Sequence, residues 1–355
     1  MGLAYLDIST GTFRLTETED RHVALDEALR IDPSEILIPE FFKTDSKFHA
    51  LTAPFVERSL TTLDDKVFSH ARAREQLMDL FHTLSLEGFG CEEMKAGIRA
   101  GGALVHYLKE TQKQTVEHFT GIETYHLSGY MWVDDRSCRN LELAANLQTG
   151  SRQGTLLNVL DQTRTAMGGR LLREWLRYPL MDRSGVTRRH DAVAEMLHKK
   201  RQRIEIRTQL KKVHDLERLG SKISMGRANA RDLVALKHSL QTLPAVFQQL
   251  ASLESDAFRS DLSLAPLAAL SDLIEKAVRE DAPPVLNEGG LIRTGYNPEL
   301  DELVQISRDG KGYLAQLESR ERTATAITSL KVRYNKVFGY YIEVPKARAT
   351  DVPAH

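Results

Sequence analysis

A multidomain α+β fold that is mainly helical is what this sequence of 355 residues predicts, and three observations carry it. The opening reads as strand, strand, helix, strand, the start of an α/β domain. From about Leu104 to Glu280 prolines are few and apolar residues recur at i, i+3, i+4, the mark of packed helices. Beyond Leu330 the apolar period drops to two, the mark of strands.

Taken in order, Leu3-Ala4-Tyr5-Leu6-Asp7-Ile8 is apolar at all but one position, as in a buried strand. Ser9-Thr10-Gly11 is turn chemistry, and Thr12-Phe13-Arg14-Leu15 then alternates, giving a hairpin. Leu25 and Leu29, four apart, share a helix face. Pro33-Ser34 ends that helix, and Glu35-Ile36-Leu37-Ile38-Pro39 reads as another strand. From about Arg72 the pattern is helical: Leu77, Leu80 and Phe81 share a face, and Gly88, Gly90 and Gly101-Gly102 punctuate. Leu233, Leu236, Leu240 and Leu243 show the helical repeat well. Asp281-Ala282-Pro283-Pro284, followed by Asn287, Gly289 and Gly290, is the one linker-like shift. Tyr296 to about Ala326 is again helical, broken at Gly310 and Gly312. The expected domains are 1–105 (α/β), 106–285 (helical) and 286–355 (helix plus β-hairpin).

In that last hairpin Leu330, Val332 and Tyr334 face one way, expected inward, and Lys331 and Arg333 the other. Asn335-Lys336 sits at the tip, and Tyr340, Ile342 and Val344 alternate with Tyr341 and Glu343. From Ser329 to Thr350 five bases (Lys331, Arg333, Lys336, Lys346, Arg348) stand against one acid, Glu343. A basic face with interleaved aromatics fits a nucleic-acid backbone, and it equally fits a solvated strand face. A two-stranded pair alone is marginal in water, so further chain is expected to close it.

Formal net charge is −1, so no global field draws the chain to nucleic acid or membrane, and any such binding needs a local patch. Two cysteines, Cys91 and Cys138, form no CxxC pair and fit a reducing, cytoplasmic compartment. Met1 to Tyr5 has no basic segment leading into an apolar one, the pattern of a signal peptide. No apolar run approaches the roughly 20 residues of a membrane span. No GxxxxGK[ST] loop occurs, so nucleotide binding is not assigned to this chain.

Several stretches together resemble the MutS family of DNA mismatch-repair proteins. Val133-Asp134-Asp135-Arg136-Ser137-Cys138-Arg139-Asn140-Leu141-Glu142 is similar to the family's acidic-x-x-Thr-Arg-Arg-Asn-Leu-Glu, with Ser137 for the Thr and Cys138 for the first Arg. Leu160-Asp161-Gln162-Thr163-Arg164-Thr165-Ala166-Met167-Gly168-Gly169-Arg170-Leu171-Leu172-Arg173-Glu174-Trp175-Leu176, ending at Tyr178-Pro179-Leu180, is close to a signature of its core domain. Ser329 to Val344 resembles its DNA clamp, and Arg227 to Leu233 adds a further match. Ala4 to Gly11 resembles the opening of its connector.

The resemblance implies a middle piece: an RNase H-like connector, helical core and lever, and a partly truncated clamp. It implies backbone contact with duplex DNA through Lys331, Arg333, Asn335 and Lys336, a MutL-type partner on the connector, and a homodimer for the full-length protein. No segment matches the family's mismatch reader with its Phe-x-Glu wedge. ATP and Mg are implied only for the family's ATPase domain, so no cofactor, metal or catalytic residue is assigned here. Leu171, Leu172, Trp175 and Leu176 are expected in the helical core, and Gly168-Gly169 in a close helix approach or a cap. Arg139 and Arg170 are read as salt-bridge residues before DNA ligands. Two rival readings stand beside this one. Asp7-Ile8-Ser9-Thr10-Gly11-Thr12 resembles the first phosphate loop of actin-like kinases, and an RNase H-like strand can carry a metal-binding Asp. A two-metal nuclease needs convergent carboxylates, and Asp7 has no obvious set. The other rival is a helical interaction scaffold that never touches DNA.

Overall fold

The structure, a computed structural model, describes residues 1–43, 55, 59–112, 118–335, 337 and 339–352. The chain divides into two compact units, Met1–Gly289 and Gly290–His355.

The first unit opens with β1 (Gly2–Asp7) and β2 (Thr12–Glu17), an antiparallel pair with Leu6 opposite Phe13 and Ala4 opposite Leu15. Asp7 holds the turn between them: its Oδ1 accepts the Ser9 amide at 2.8 Å and the Ser9 hydroxyl at 2.7 Å. Gly11 closes it at φ +73°, a conformation that favours glycine. α1 (Arg21–Ile31) begins where Asp20 accepts the His22 amide. β3 (Glu35–Pro39) pairs parallel with β4 (Ser59–Leu63). α2 (His70–Phe81) and α3 (Lys95–Gln112) follow, and β5 (Glu123–Thr124) adds to β2 in parallel. The strand–strand–helix–strand opening is therefore present.

Gly101-Gly102 does not punctuate; it lies inside α3. A Cβ on Gly102 would stand 2.3 Å from the Ala73 Cα, and one on Gly97 2.4 Å from Leu15 Cδ2. These glycines let α3 lie directly on α2 and the hairpin. The boundary expected at residue 105 falls inside the same helix, which runs on to Gln112. Around this approach Phe13, Leu15, Leu77, Leu86, Ile98 and Val105 pack as one buried cluster. Each fully buried aliphatic side chain contributes about 1.5–3 kcal/mol.

The helical part of the unit contains α4 (Asp135–Asn140), α5 (Leu156–Leu160), α6 (Ala166–Arg177), α7 (Arg183–His198), α8 (Lys200–Leu210), α9 (Leu216–Ser224), α10 (Ala230–Leu250) and α11 (Ala265–Ala277). Most begin at a side-chain cap: Asp134, Thr155, Thr165, Asp182 and Asp215 each accept first-turn amides, and Asn229 with Asp232 forms a reciprocal capping box. Gly168 serves the Thr165 cap, donating its amide at 3.1 Å. α10 packs on α8 and α11, with Leu240 and Val246 buried. Beside them Lys237 is buried with its ammonium on Glu280 and, at 2.7 Å, on Glu275.

A buried polar cluster joins the α/β part to the helical part. Glu27 of α1 is 1% exposed. Its Oε1 accepts the Tyr125 hydroxyl at 2.7 Å and the Tyr178 hydroxyl at 2.8 Å. Arg30 lies 3.5 Å from Glu27 Oε2, donates to the Val133 carbonyl at 3.0 Å and sits 5.0 Å over the Tyr178 ring. Burial, then the Glu27 charge, pushes both phenols up in pKa, so they remain donors. Arg14 of β2 reinforces the junction through Glu174 of α6, and the Tyr178-Pro179-Leu180 segment pairs with Tyr130 and Met131.

The second unit contains α12 (Pro298–Arg308), α13 (Gly310–Thr325), β6 (Lys331–Asn335) and β7 (Gly339–Glu343). The helix break falls at Asp309, whose Oδ1 accepts the Gly312 amide at 3.0 Å and starts α13; Gly312 lies within the new helix.

Two outcomes follow for stability. Gly102→Ala is expected to cost about 1–3 kcal/mol by overpacking against Ala73, although Ala favours helix by about 1 kcal/mol. Gly220→Ala, in α9 with nothing within 4 Å of the added Cβ, should gain up to about 1 kcal/mol. Urea midpoints of the two variants check both signs. The Glu92 carboxylate takes Arg74 Nε at 2.6 Å, the Leu86 amide at 2.7 Å and Ser85 Oγ at 3.2 Å. The Arg74 bond first, then the Leu86 amide, lowers its pKa from 4.5 to about 2. A folded pKa depressed in this way gives stability that is present above pH 4.5 and lost as pH falls toward 2. Glu92→Gln should therefore melt below the parent at pH 7, and the gap should close across that acid window.

Candidate nucleic-acid interface

In the second unit the hairpin is anchored at its base. Ile327 and Leu330 are buried. Arg322 Nε of α13 donates to the Leu330 carbonyl at 2.7 Å, and the Val332 amide donates to Glu318 Oε2 at 3.0 Å. Arg322 and Glu318, one turn apart, pair at 2.5 Å, so two charged side chains of α13 fix where β6 starts. The strands pair antiparallel, with Lys331 opposite Glu343, Arg333 opposite Tyr341 and Asn335 opposite Gly339. Pairs directly opposite project to one face. Lys331, Arg333 and Asn335 therefore share a face with Glu343 and Tyr341, and Val332 and Tyr334 share the other with Ile342 and Tyr340.

Lys331 and Arg333 are exposed, as the alternation predicts. Arg333 does not stand alone: its Nε meets Glu343 Oε2 at 2.7 Å. The lone acid of the segment is thus committed to one of its bases, which only the register reveals. Asn335 Oδ1 accepts the Val337 amide at 2.9 Å and so shapes the tip. Gly339, at φ +74°, re-enters the strand. Lys336, the fourth expected contact, lies outside the described residues. The other face departs from expectation. Leu330 is buried, but Tyr334 is 61% exposed and Tyr340 63%, their rings 5.0 Å apart. A two-stranded ribbon has no second layer, and nothing among the described residues of the unit covers this face.

The remaining sequence-derived candidates lie in the first unit. Arg170 is bidentate on Asp215, at 2.8 and 2.6 Å, and also donates to Glu217. These bonds raise the Arg170 pKa and lower that of Asp215. Arg139 pairs with Asp135 one turn away at 2.9 Å. Both are salt-bridge residues here. The expected core at Leu171, Leu172, Trp175 and Leu176 is corrected: Leu171 is 48% and Trp175 40% exposed, with Leu172 and Leu176 half-buried. The apolar stripe on α6 is present, but no described element lies over its crest. The guanidinium of Arg189 stacks instead, 3.6 Å from the centre of the Trp175 ring. Asp7 spends its Oδ1 on the Ser9 turn, and among the described residues no group of three or more His, Cys, Asp or Glu is placed to hold a metal ion. No helix among them is long and apolar enough to cross a membrane.

Residues 136–339, more than half of the chain, match the family model for MutS domain III, and residues 1–120 match that for MutS domain II. The chain belongs to the MutS family. Proteins named DNA mismatch repair protein MutS match it end to end. That of Desulforapulum autotrophicum is 48% identical over 365 residues, covering 100% of this chain and 41% of the relative. That of Desulfosudis oleivorans is 48% identical over 360 residues, covering 100% and 41%. That of Desulfatibacillum aliphaticivorans is 44% identical over 356 residues, covering 100% and 40%. The chain thus spans about two fifths of the length of these curated MutS relatives.

Trp175 is 40% exposed with Arg189 stacked on its ring, so Trp175→Ala should cost about 1–2 kcal/mol, partial burial and the cation–π contact together. A buried Trp costs about 3–5 kcal/mol. A loss of that size in the chemical melt would show that the face of α6 is covered.

Proposed function

We propose that this chain is the DNA-holding middle of a mismatch-repair protein and acts without chemistry of its own. The hairpin grips duplex DNA through its backbone, with Lys331, Arg333, Asn335 and Lys336 as the contacting residues. The single observation that supports this best is the exposed basic face of β6, fastened to α13 through Glu318 and Arg322. The printed name of the relatives, DNA mismatch repair protein, supports it independently. Phosphate contacts position a protein without reading sequence, which suits a protein that must hold any DNA it inspects.

In this reading residues 1–105 form an RNase H-like connector that docks a MutL-type partner, residues 106–285 form core and lever, and residues 286–355 belong to the clamp. No residue here is catalytic and no cofactor or metal is bound by this chain. ATP and Mg belong to an ATPase domain of the whole protein, which works as a cytoplasmic homodimer. The commitment of Asp7 to its own turn argues against the metal-nuclease and kinase alternatives.

The test is the salt dependence of binding. Each phosphate neutralised contributes about −0.9 to the slope of log affinity against log salt. Lys331→Ala with Lys336→Ala should weaken matched and mismatched duplexes alike and flatten the slope by up to roughly two units. Glu343→Gln, which releases Arg333, should act in the opposite direction. A double variant with the parent's affinity and slope would reduce the basic face to a solvated strand face.

A further inference from the structure

The strongest concentration of positive charge in the chain is not on the hairpin. Residues 199–212, spanning α8 and its ends, hold seven bases and one acid in a chain of net charge −1. Several bases elsewhere are answered: Arg14 by Glu123, Arg74 by Glu92, Arg152 by Asp161, Arg170 by Asp215, Lys222 by Asp232 and Lys237 by Glu275. On α8 they are not. Lys200, Arg201, Arg207 and Lys211 meet no carboxylate among the described residues. The one acid, Glu205, is engaged by Gln209 Nε2 at 2.7 Å.

The helix is oriented so that these charges look outward. Ile206 is buried and α8 lies against α10. Arg203 turns away from the strip to donate to the Met196 carbonyl at 2.8 Å, closing the end of α7. Lys200, Arg201, Lys211 and Lys212 are exposed. From Lys200 to Lys211 the helix rises about 17 Å at 1.5 Å per residue. Along duplex DNA one strand presents a phosphate every 3.4 Å of axis, so the strip matches about five phosphates. The groove at the start of α7, lined by Asp182, Arg188 and Asp256 among others, does not include these bases. A protein partner needs a desolvated anchor pocket; a phosphate backbone needs only accessible cations.

We propose that the solvent face of α8, carried by Lys200, Arg201 and Lys211, is a second footprint for the backbone of duplex DNA, on a different unit from the hairpin. It rests on the reading that this chain holds DNA, and the two can fail separately. Each footprint adds its own phosphate contacts, so binding by the chain depends more steeply on salt than the hairpin bases alone allow.

The test compares three forms of the chain by fluorescence anisotropy with a labelled random-sequence duplex between about 50 and 200 mM salt, the range over which such contacts are most visible. The forms are the parent, the Lys200→Gln/Arg201→Gln/Lys211→Gln variant, and the Lys331→Ala/Lys336→Ala variant. The α8 variant should flatten the salt slope by up to roughly 2.7 units and lose at least about tenfold in affinity near 0.1 M salt. Lys200→Arg with Lys211→Arg keeps the charge and should keep both. If the α8 variant binds like the parent while the hairpin variant weakens, the second footprint is overturned and the DNA-holding reading stands. If neither variant departs from the parent, both fall. Loss of binding to a labelled polyglutamate with duplex binding intact would assign the strip to an acidic protein and overturn it. Melting curves and far-UV circular dichroism verify the fold of each variant; loss of affinity in the charge-preserving pair would show that packing rather than charge is responsible, and would also overturn it.

Discussion

The first unit is held together around a buried carboxylate. Desolvating an ion costs several kcal/mol, so Glu27 is tolerable only because two phenols and a guanidinium answer it. Each partner comes from a different part of the chain: Arg30 from the same helix, Tyr125 from the connection after β5, Tyr178 from the end of α6. The cluster thereby ties the stretch that matches MutS domain II to the stretch that matches domain III, together with Arg14 and Glu174. Removing one partner would leave a buried polar group unanswered, which is more damaging than the loss of one bond. This explains why residues on both sides of the family's domain boundary form one compact unit here.

Much of the fold was legible because its signals are periodic and local. Alternation in Thr12 to Leu15 and in Leu330 to Val344 marked both hairpins, and the spacing of Leu233 to Leu243 marked the face of α10. What was not legible depends on residues distant in sequence. A glycine pair reads as a break unless one knows that Ala73 lies against it. The apolar stripe of α6 shows which face is apolar but not what covers it, so Trp175 reads as core while standing under Arg189. The outward bases of the hairpin were visible in the sequence; the claim of Glu343 on Arg333 waited for the register. At α8 the density of bases is in plain view in the sequence, but such runs are commonly solvated, and the fold adds that Lys200, Arg201 and Lys211 are exposed with no carboxylate partner among the described residues.

The proposed function asks the chain to hold DNA without choosing its sequence, and the hairpin has features that serve this. The hairpin is fastened by Arg322 and Glu318 where it leaves α13, and Lys331 and Arg333 are exposed. Both are side chains of β6, so under the proposed function less entropy would be lost in meeting phosphates than for a flexible tail. Exposed Tyr334 and Tyr340 form an aromatic face opposite the basic one, a surface left open among the described residues of that unit.

The most direct test of the account is the binding of the unmodified chain to matched and single-mismatch duplexes of the same length across a range of salt. Backbone holding predicts a straight line of log affinity against log salt with a negative slope, steeper than about two units and the same for both duplexes. Binding that ignores salt, or a clear preference for the mismatch at every salt concentration, would contradict it.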